Sequence, residues 1–562
     1  MKFLLIILLF TSYAYATDQD KYNQAIGKVN EYLSDDQVDS KNCPGLKLVI
    51  TCGNKLCEPH FNETDLNCAA DCLKNVSVRS YNNITLCTGY SEIQIPKSIA
   101  EVVDLVKLAN AKKLKVRPIG ASHSATQVMC SQGMLIPVEN LKQVIGISTL
   151  NGKTVVEAQT GVTVFELSEW LHEKGYALDG LPHMGFRDVT IGGAIATGSH
   201  GSTTKHHGVL SNIIEAIEFI DGKGVVHNLE KDGASPSEFK ALSASLGMVG
   251  ITTKFKLRIQ KQFNLAVSVT YHSDKEILVN GLLNTVENCD YGQLNWFPGV
   301  GKFMKTCGVK TQKVATAGAN NELLSPNIPD FIVNPFKKIL QLGACYNNLM
   351  CLIEDVRWLQ YKLQPPFVVT NQQGKKENFK YLVGPAHRMV SSHLISKQEG
   401  FFQMDWEIAV PSSKAQEALI AIKNHAKENN TCLPLVGVFV RFAPIESQTL
   451  LAHSGADDKN WVEGETAVFF EMPVYVPIGY SKERFDAYEK QYVEFAKLLI
   501  ERFSGRPHWG KNRQWAFDLV KANGSYQKNL EEFQTVINKY DPQGTYGNDF
   551  AKGLGFTWNE QK

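Results

Sequence analysis

The sequence predicts an α+β fold of two large lobes, and three observations carry that expectation. The chain has 562 residues at 43% hydrophobic content, more than one ordinary domain needs and enough for a full core. Helix and strand signals alternate from residue 84 to about 262. From about 263 to 480 the signals are mixed and strand-rich, as in a lobe built on an antiparallel sheet.

The first lobe opens at Pro96 with a capping box of Ser98 and Glu101, after which Ile99, Val102, Val103 and Val106 recur at helical spacing. A strand from Leu114 to Gly120 follows, broken by Pro118 and Gly120. A second strand, Thr154 to Gln159, leads through Gly161 to another capping box, Thr163 with Glu166. Its helix carries Val164, Leu167 and Leu171 and stops at Gly175. Residues 213–229 read as a hairpin around Asp221-Gly222. Ser235-Pro236 with Glu238 starts a helix predicted to end near Gly247, and Ile251 to Ile259 alternates as a strand. In the second lobe the strand-like runs are 266–271, 402–410, 435–442 and 466–476, with a helix from Ser413 to about Lys427. An amphipathic helix, Lys482 to Phe503, carries Phe485, Tyr488, Tyr492, Phe495 and Leu499 on one side and ends before Gly505 and Pro507.

The N-terminus reads as a secretory signal over residues 1–16: Lys2, the apolar run Phe3 to Phe10, and Ala14-Tyr15-Ala16 as the cleavage pattern. The run falls short of the roughly 20 residues a membrane span needs. A secreted, extracellular protein is the expectation, and sequons at Asn62, Asn75, Asn83, Asn429 and Asn523 offer N-glycan sites. With 58 basic against 57 acidic residues there is no global field to draw nucleic acid or an anionic membrane, so a small neutral substrate is expected. Twelve cysteines without a Cys-x-x-Cys pair predict disulfides rather than metal. Five of them, Cys43, Cys52, Cys57, Cys68 and Cys72, staple a polar segment over 17–83 that resembles short disulfide-knotted extracellular modules. Its carboxylates, Glu58, Glu63, Asp65 and Asp71, read as a solvated surface.

Three glycine-rich stretches lie at turns: GASHS at 120–124, IGGAIATGSHG at 191–201 and SLGMVGIT at 245–252. None is the Gly-x-Gly-x-x-Gly of a dinucleotide-binding βαβ unit. Glycines there still let backbone amides approach a pyrophosphate. His200, His206 and His207 lack the carboxylate and spacing of a metal site, and no metal is expected.

Together with Arg506-Pro507-His508-Trp509-Gly510-Lys511, and with Arg117-Pro118 before GASHS, these stretches resemble the vanillyl-alcohol oxidase superfamily. The resemblance is greatest to its sugar-1,4-lactone oxidase branch, the L-gulonolactone oxidase-like enzymes. It implies a two-subdomain, PCMH-type FAD-binding lobe over 84–262, a substrate (cap) lobe over 263–500, and a C-terminal segment, 501–562, returning to the flavin. It gives His123 the role of a covalent 8α-histidyl tether to FAD, and the absence of a cysteine from Leu181 to Ile191 makes that tether single. Backbone of Ile119, Gly120, Ala121, Ser122 and Ser124 is placed against the pyrophosphate. Gly192, Gly193, Thr197, Gly198 and His200 are placed along the ribityl and diphosphate region, and Val249 and Ile251 on the adenine side. Lys511 is placed near the flavin N1/C2 carbonyl side, where negative charge collects on reduction.

The resemblance also gives Arg441 to the substrate, on a strand where burying an Arg needs a reason. Relatives with Glu-x-Arg there use both residues, and here Phe439 replaces the Glu, as in exported plant relatives. Glu407 matches another family carboxylate and could supply the missing acceptor. His508 and Glu407 are both candidates for the proton acceptor. Thr160 falls where the family gates oxygen, and it is neither Gly nor Pro. The implied activity is hydride transfer from a sugar lactone to flavin, with molecular oxygen as acceptor. A dehydrogenase, an enzyme of alditols, hexoses or oligosaccharides, and a secreted binding protein without turnover stay open. Cys87 and Cys130 flank the first of the glycine-rich stretches and exported relatives keep similar cysteines, so the two are expected to pair.

Overall fold

In the computed structural model, residues 76–82, 84–180, 186–317, 319, 347–363, 367–370, 376–379, 381–390, 403–433, 437–457, 460–475 and 482–559 are described. The signal over 1–16, the five clustered cysteines and the sequons at Asn62, Asn75 and Asn83 lie outside them.

The first lobe holds two sheets. Strands β1 (Val76–Arg79), β2 (Leu86–Ile93), β3 (Val116–Ile119) and β4 (Gly133–Pro137) form a mixed sheet in the order β1-β2-β4-β3, with β4 parallel to both neighbours. This lobe begins upstream of residue 84, because β1 pairs antiparallel with β2. Its four residues, Val76-Ser77-Val78-Arg79, do alternate, but so short a run did not stand out in the sequence. Strands β5 (Val144–Leu150), β6 (Lys153–Gln159), β7 (Tyr176–Leu178), β8 (Ile214–Ile220), β9 (Val226–Glu230) and β10 (Ile251–Lys261) form the second sheet, ordered β5-β6-β10-β8-β9 with β7 on β10. Strict alternation along β10 buries Ile251, Thr253, Phe255, Leu257 and Ile259 and leaves the residues between them partly exposed.

Both capped helices form. Thr163 and Glu166 make a complete capping box on Val164–Glu173, and Gly175 follows at φ +78°. On Ile99–Ala111 the Ser98 hydroxyl accepts from Glu101 N–H, while the Glu101 carboxylate accepts from Lys97 N–H, one residue further back. The helix Pro236–Leu242 ends earlier than Gly247, and the left-handed turn at Leu246 (φ +51°) and Gly247 (φ +66°) follows after it.

Past β10 the chain enters an antiparallel sheet built from β11 (Asn264–Ser273), β12 (Tyr291–Phe297), β13 (Lys302–Thr311), β16 (Tyr381–Pro385), β17 (Gln403–Pro411), β18 (Val438–Pro444), β19 (Thr466–Tyr475) and β20 (Arg506–Pro507). A separate pair, β14 (Phe367–Thr370) and β15 (Lys376–Phe379), lies off it. The large sheet runs β16-β11-β13-β12-β18-β19-β17-β20. Helices Ser412–Glu428 and Lys482–Phe503 pack on it, burying Leu419, Ile422, Tyr492, Phe495 and Leu499 in a cluster that continues to Ile217 and Phe219 of the first lobe. The C-terminal segment then crosses back: Val116 N–H donates to Thr545 O, and the Tyr546 hydroxyl lies 3.1 and 3.0 Å from Ile220 O and Asp221 O.

Disulfides join Cys87–Cys130, Cys289–Cys307 and Cys351–Cys432. The first is the pair the resemblance implied. Among the described residues no helix is long and apolar enough to cross a membrane.

Candidate active site

The three glycine stretches and the C-terminal RPHWGK segment converge on one cavity between the lobes, with about 360 Å3 of room for the centres of water molecules. Strand β3 delivers the first stretch to it. Gly120 passes so close to Thr190 that a Cβ would fall on its Oγ1. Ser122 adopts φ +55°, and Ala125 N–H donates to Gly510 O at 2.7 Å, so this turn and the C-terminal loop are held together. Among the described residues, the N–H groups of Ala121, Ser122, His123 and Ser124 donate to no protein acceptor, and the Ser122 hydroxyl is buried without a partner. Consecutive free amides around a left-handed residue form an anion cradle.

Arg117 ties the first stretch to the third. Its guanidinium is buried and donates to Leu246 O at 2.5 Å and Gly247 O at 3.1 Å, and burial pushes it down to about 10. In the second stretch Thr190 caps Ile191–Ala196, and Gly192 runs against Thr160, whose Oγ1 would collide with any Cβ there. Gly193, Thr197 and His200 line the cavity with Gly192, as do Ile119 and Thr160. Gly198 does not. It lies behind the wall, where a Cβ would stand 3.4 Å from His453 Nδ1. Val249 and Ile251 turn their side chains into core clusters, and the expectation for them concerned only the backbone nearby. Ser245, Leu246, Gly247, Gly250 and Thr252 line the cavity in their stead.

His123 lies at the cavity wall, stacked on Tyr81 at 4.6 Å with Phe186 at 5.0 Å. Its Nε2 is 3.2 Å from Asp188 Oδ1. A carboxylate only accepts, so this bond places the proton on Nε2 and leaves the lone pair on Nδ1.

A cluster of charged side chains closes the other end. Glu407 on β17 is fully buried: its Oε1 takes His200 Nε2–H at 2.6 Å, and its Oε2 takes Arg441 at 2.5 Å and Lys511 at 2.8 Å. Glu471 on β19 also pairs with Arg441 and with Lys511. The sequence places Lys511 here because β20 adds to the edge of β17, so that His508 N–H and the Asn512 side chain both donate to Glu407 O at 2.9 Å. Burial acts to raise the Glu407 carboxyl, but Lys511, His200 and Arg441 outweigh it and hold it well below the usual carboxylate range. Burial likewise opposes the Arg441 and Lys511 charges, and the two glutamates more than restore them.

These contacts revise the roles of two candidates. Glu407 reaches no cavity surface and every oxygen is engaged, so it positions Arg441 and Lys511 and is not placed to take a substrate proton. His508 lines the cavity, but its Nδ1 accepts from Gly510 N–H at 2.9 Å, so the neutral ring carries its proton on Nε2 and offers a donor. Burial pushes it down to about 3. His453, buried beside His200 and His508, is held well below its ordinary value by burial and by His508 and His200. The ligand atoms of His200, Glu407 and His453 lie within 4.8 Å of one another. Arg441 and Lys511 already neutralise the one carboxylate there and His200 is hydrogen-bonded to it, which disfavours a cation between them.

Sequence reasoning missed Glu471, Asp188 and His453. Glu471 had a signal, a single acidic residue in the apolar run Phe469 to Tyr475, the same argument that singled out Arg441. Asp188 and His453 sit in loops with no periodicity to mark them.

The D-arabinono-1,4-lactone oxidase family model matches residues 255–554, more than half of the chain. The chain belongs to that family. An FAD binding domain model matches residues 92–230. L-gulonolactone oxidase of Bos taurus is 25% identical over 462 residues, covering 81% of this chain and 93% of that protein. D-arabinono-1,4-lactone oxidase of Kluyveromyces lactis is 24% identical over 527 residues, covering 86% and 93%. Among solved structures, cholesterol oxidase from B. sterolicum superposes with a TM-score of 0.67 at 15% identity, covering 85% of this chain and 96% of that one, which shows the shared fold. The protein is an FAD-dependent oxidoreductase, and the cavity fits such a cofactor on its own evidence. Free amides over Ala121–Ser124 suit a pyrophosphate, and Gly120 and Gly192, packed against Thr190 and Thr160, hold the first two stretches close together at the wall. Arg441 and Lys511 suit an electron-rich ring that gains negative charge.

Proposed function

We propose that this protein oxidises a sugar lactone of the L-gulono-1,4-lactone type, with oxygen as the electron acceptor and hydrogen peroxide as product. FAD, when bound, supplies the two-electron acceptor for hydride from the donor carbon. The observation that carries the reading is the Arg441–Lys511 pair, fixed by Glu407 and Glu471 at the cavity wall beside the glycine loops, in a chain of this family. Two fixed cations stabilise the negative charge that develops on the donor oxygen as its carbon gives up hydride, the hydroxyl proton leaving to solvent water, and His508 adds a neutral N–H donor. Thr160, buried at the wall, stands at the oxygen approach that the resemblance marks.

The tether to FAD through His123 is part of the proposal. Support comes from Asp188, which leaves the Nδ1 lone pair free for the 8α carbon, and from Tyr81 and Phe186, which fix the ring plane. Secretion is proposed as well, supported by the N-terminal apolar run and by three disulfides among the described residues. Asn429 and Asn523, both exposed at helix C-termini, are accessible to N-glycans. Phe439, standing where relatives carry Glu, favours a second reading in which alditols, hexoses or oligosaccharides are oxidised on the same fold.

A peroxide screen of the purified yellow protein over lactones, alditols and hexoses separates the two readings. Peroxide with sugar lactones at the highest kcat/KM is expected. A polyol or hexose turned over faster overturns the lactone assignment.

A further inference from the structure

We propose that Glu471 is the carboxylate that receives a substrate hydroxyl in this enzyme, the one next to the hydroxyl being oxidised. The inference rests on the lactone-oxidase reading above and names the group at that site that recognises the donor.

The strand registers carry it. Phe439 on β18 lies directly opposite Glu471 on β19, and Glu471 lies directly opposite Glu407 on β17. Directly opposed residues share a sheet face, so Phe439, Glu471 and Glu407 form one row across three strands. Of the three, Phe439 and Glu471 reach the cavity and Glu407 does not. A carboxylate shifted from position 439 to position 471 moves sideways by one strand spacing, about 4.8 Å, and keeps the same face. It also keeps Arg441, since Glu471 Oε2 pairs with that guanidinium and Oε1 with Lys511.

Chemistry divides the two glutamates. A carboxylate offers about four lone-pair sites. Those of Glu407 are spent on His200, Arg441 and Lys511 inside a fully enclosed space. Glu471 uses one site on each oxygen, which leaves one on each for a ligand entering the cavity. Phe439 accepts no hydrogen bond, and His508 presents a donor. Asp405 is the other carboxylate of the wall, but the bonds of Glu471 to Arg441 and Lys511 set it beside the cations. A vicinal diol matches that arrangement: one oxygen against the cations Arg441 and Lys511, the adjacent O–H donated to Glu471. A ring lactone carries such a pair of hydroxyls, and a donor with a single hydroxyl does not.

The test uses Glu471→Ala, Glu471→Gln and the transplant Phe439→Glu/Glu471→Ala, each checked for full flavin content by absorbance. Wild type and variants are assayed on L-gulono-1,4-lactone and on lactones lacking one hydroxyl each. Glu471→Ala is expected to lose about 10- to 100-fold in kcat/KM on the full lactone, the size of one charge-assisted hydrogen bond. On the analogue lacking the hydroxyl next to the oxidised one, the ratio of wild type to variant is expected to fall well below that on the full lactone, leaving only what Glu471 contributes by holding Arg441 and Lys511. The transplant is expected to recover part of the loss. If Glu471→Ala fails to hold flavin, Glu471→Gln carries the same comparison. The same loss on every analogue, with no recovery in the transplant, means that Glu471 only holds Arg441 and Lys511, and it overturns this inference alone. A wild-type flavin that no lactone or polyol bleaches overturns the proposed function and this inference with it.

Discussion

Replacing Glu407 by Gln perturbs the site at its electrostatic centre. In the wild type two cations, Arg441 and Lys511, share two carboxylates, Glu407 and Glu471, and Glu407 is fully buried. The variant leaves two cations against one anion. Removing one partner of a buried ionic cluster costs about 3–5 kcal/mol, because a charge stays desolvated without compensation. An unfolding entropy of about 2.1 cal/mol/K per residue, over the roughly 420 described residues, comes to about 0.9 kcal/mol/K, so the expected fall in Tm is about 3–6 °C. Scanning calorimetry of the holoprotein at neutral pH reads it. The pH dependence gives a second reading. Glu407 titrates well below its unfolded value of about 4.3, so its contribution is fully present above that value and is lost as pH falls through the folded pKa. The gap between wild type and Glu407→Gln is therefore expected to close on acidification. A variant with the wild-type Tm, or a gap that widens toward acid, would refute the charge-compensation account.

Three further outcomes follow from particular contacts. His123→Ala is expected to keep the FAD-binding fold but to release its flavin on acid precipitation, where the wild type retains colour in the pellet; colour left in the variant's pellet would place the tether elsewhere. Gly192→Ala puts a Cβ onto the buried Thr160 side chain, with an overpacking cost of about 1–3 kcal/mol, and the ratio of flavin to protein absorbance is expected to fall. Glu169 binds the second lobe to the first through Arg388, at 2.7 and 2.6 Å, and His387, at 2.8 Å; burial opposes its charge, but these partners hold it down to about 2. Its contribution is present above about pH 4.5 and lost as pH falls toward about 2, so Glu169→Gln is expected to speed amide exchange over Ala386–Met389 at neutral pH and to match wild type near pH 2.

The parts of the fold that were legible share a physical cause. Capping boxes, glycine stops and strict alternation are local signals, and they located Ile99–Ala111, Val164–Glu173, β10 and Lys482–Phe503 closely. Strands β12 and β13 were not legible: Tyr291–Phe297 is buried on both faces and shows no alternation, and its hairpin partner is interrupted by Lys302, Lys305 and Lys310. The cofactor loops were readable because glycines mark close backbone approach, and Gly120 and Gly192 bear this out by the atoms a Cβ would strike. The substrate end was less so, because its logic runs across strands. Phe439, Glu471 and Glu407 are neighbours only through the β18-β19-β17 register, and a residue's sheet partner is not written in its own segment. Glu407 was therefore singled out for a role at the substrate that its burial assigns to Glu471.

The central claim is that a sugar lactone gives two electrons to a flavin held in this cavity, beside Arg441 and Lys511. Anaerobic mixing of the purified holoprotein with L-gulono-1,4-lactone, followed at the flavin absorbance band, tests it most directly. The account predicts bleaching within a turnover and return of the colour, with peroxide, when oxygen is admitted. A flavin that stays oxidised with that lactone and with related sugar lactones would contradict it.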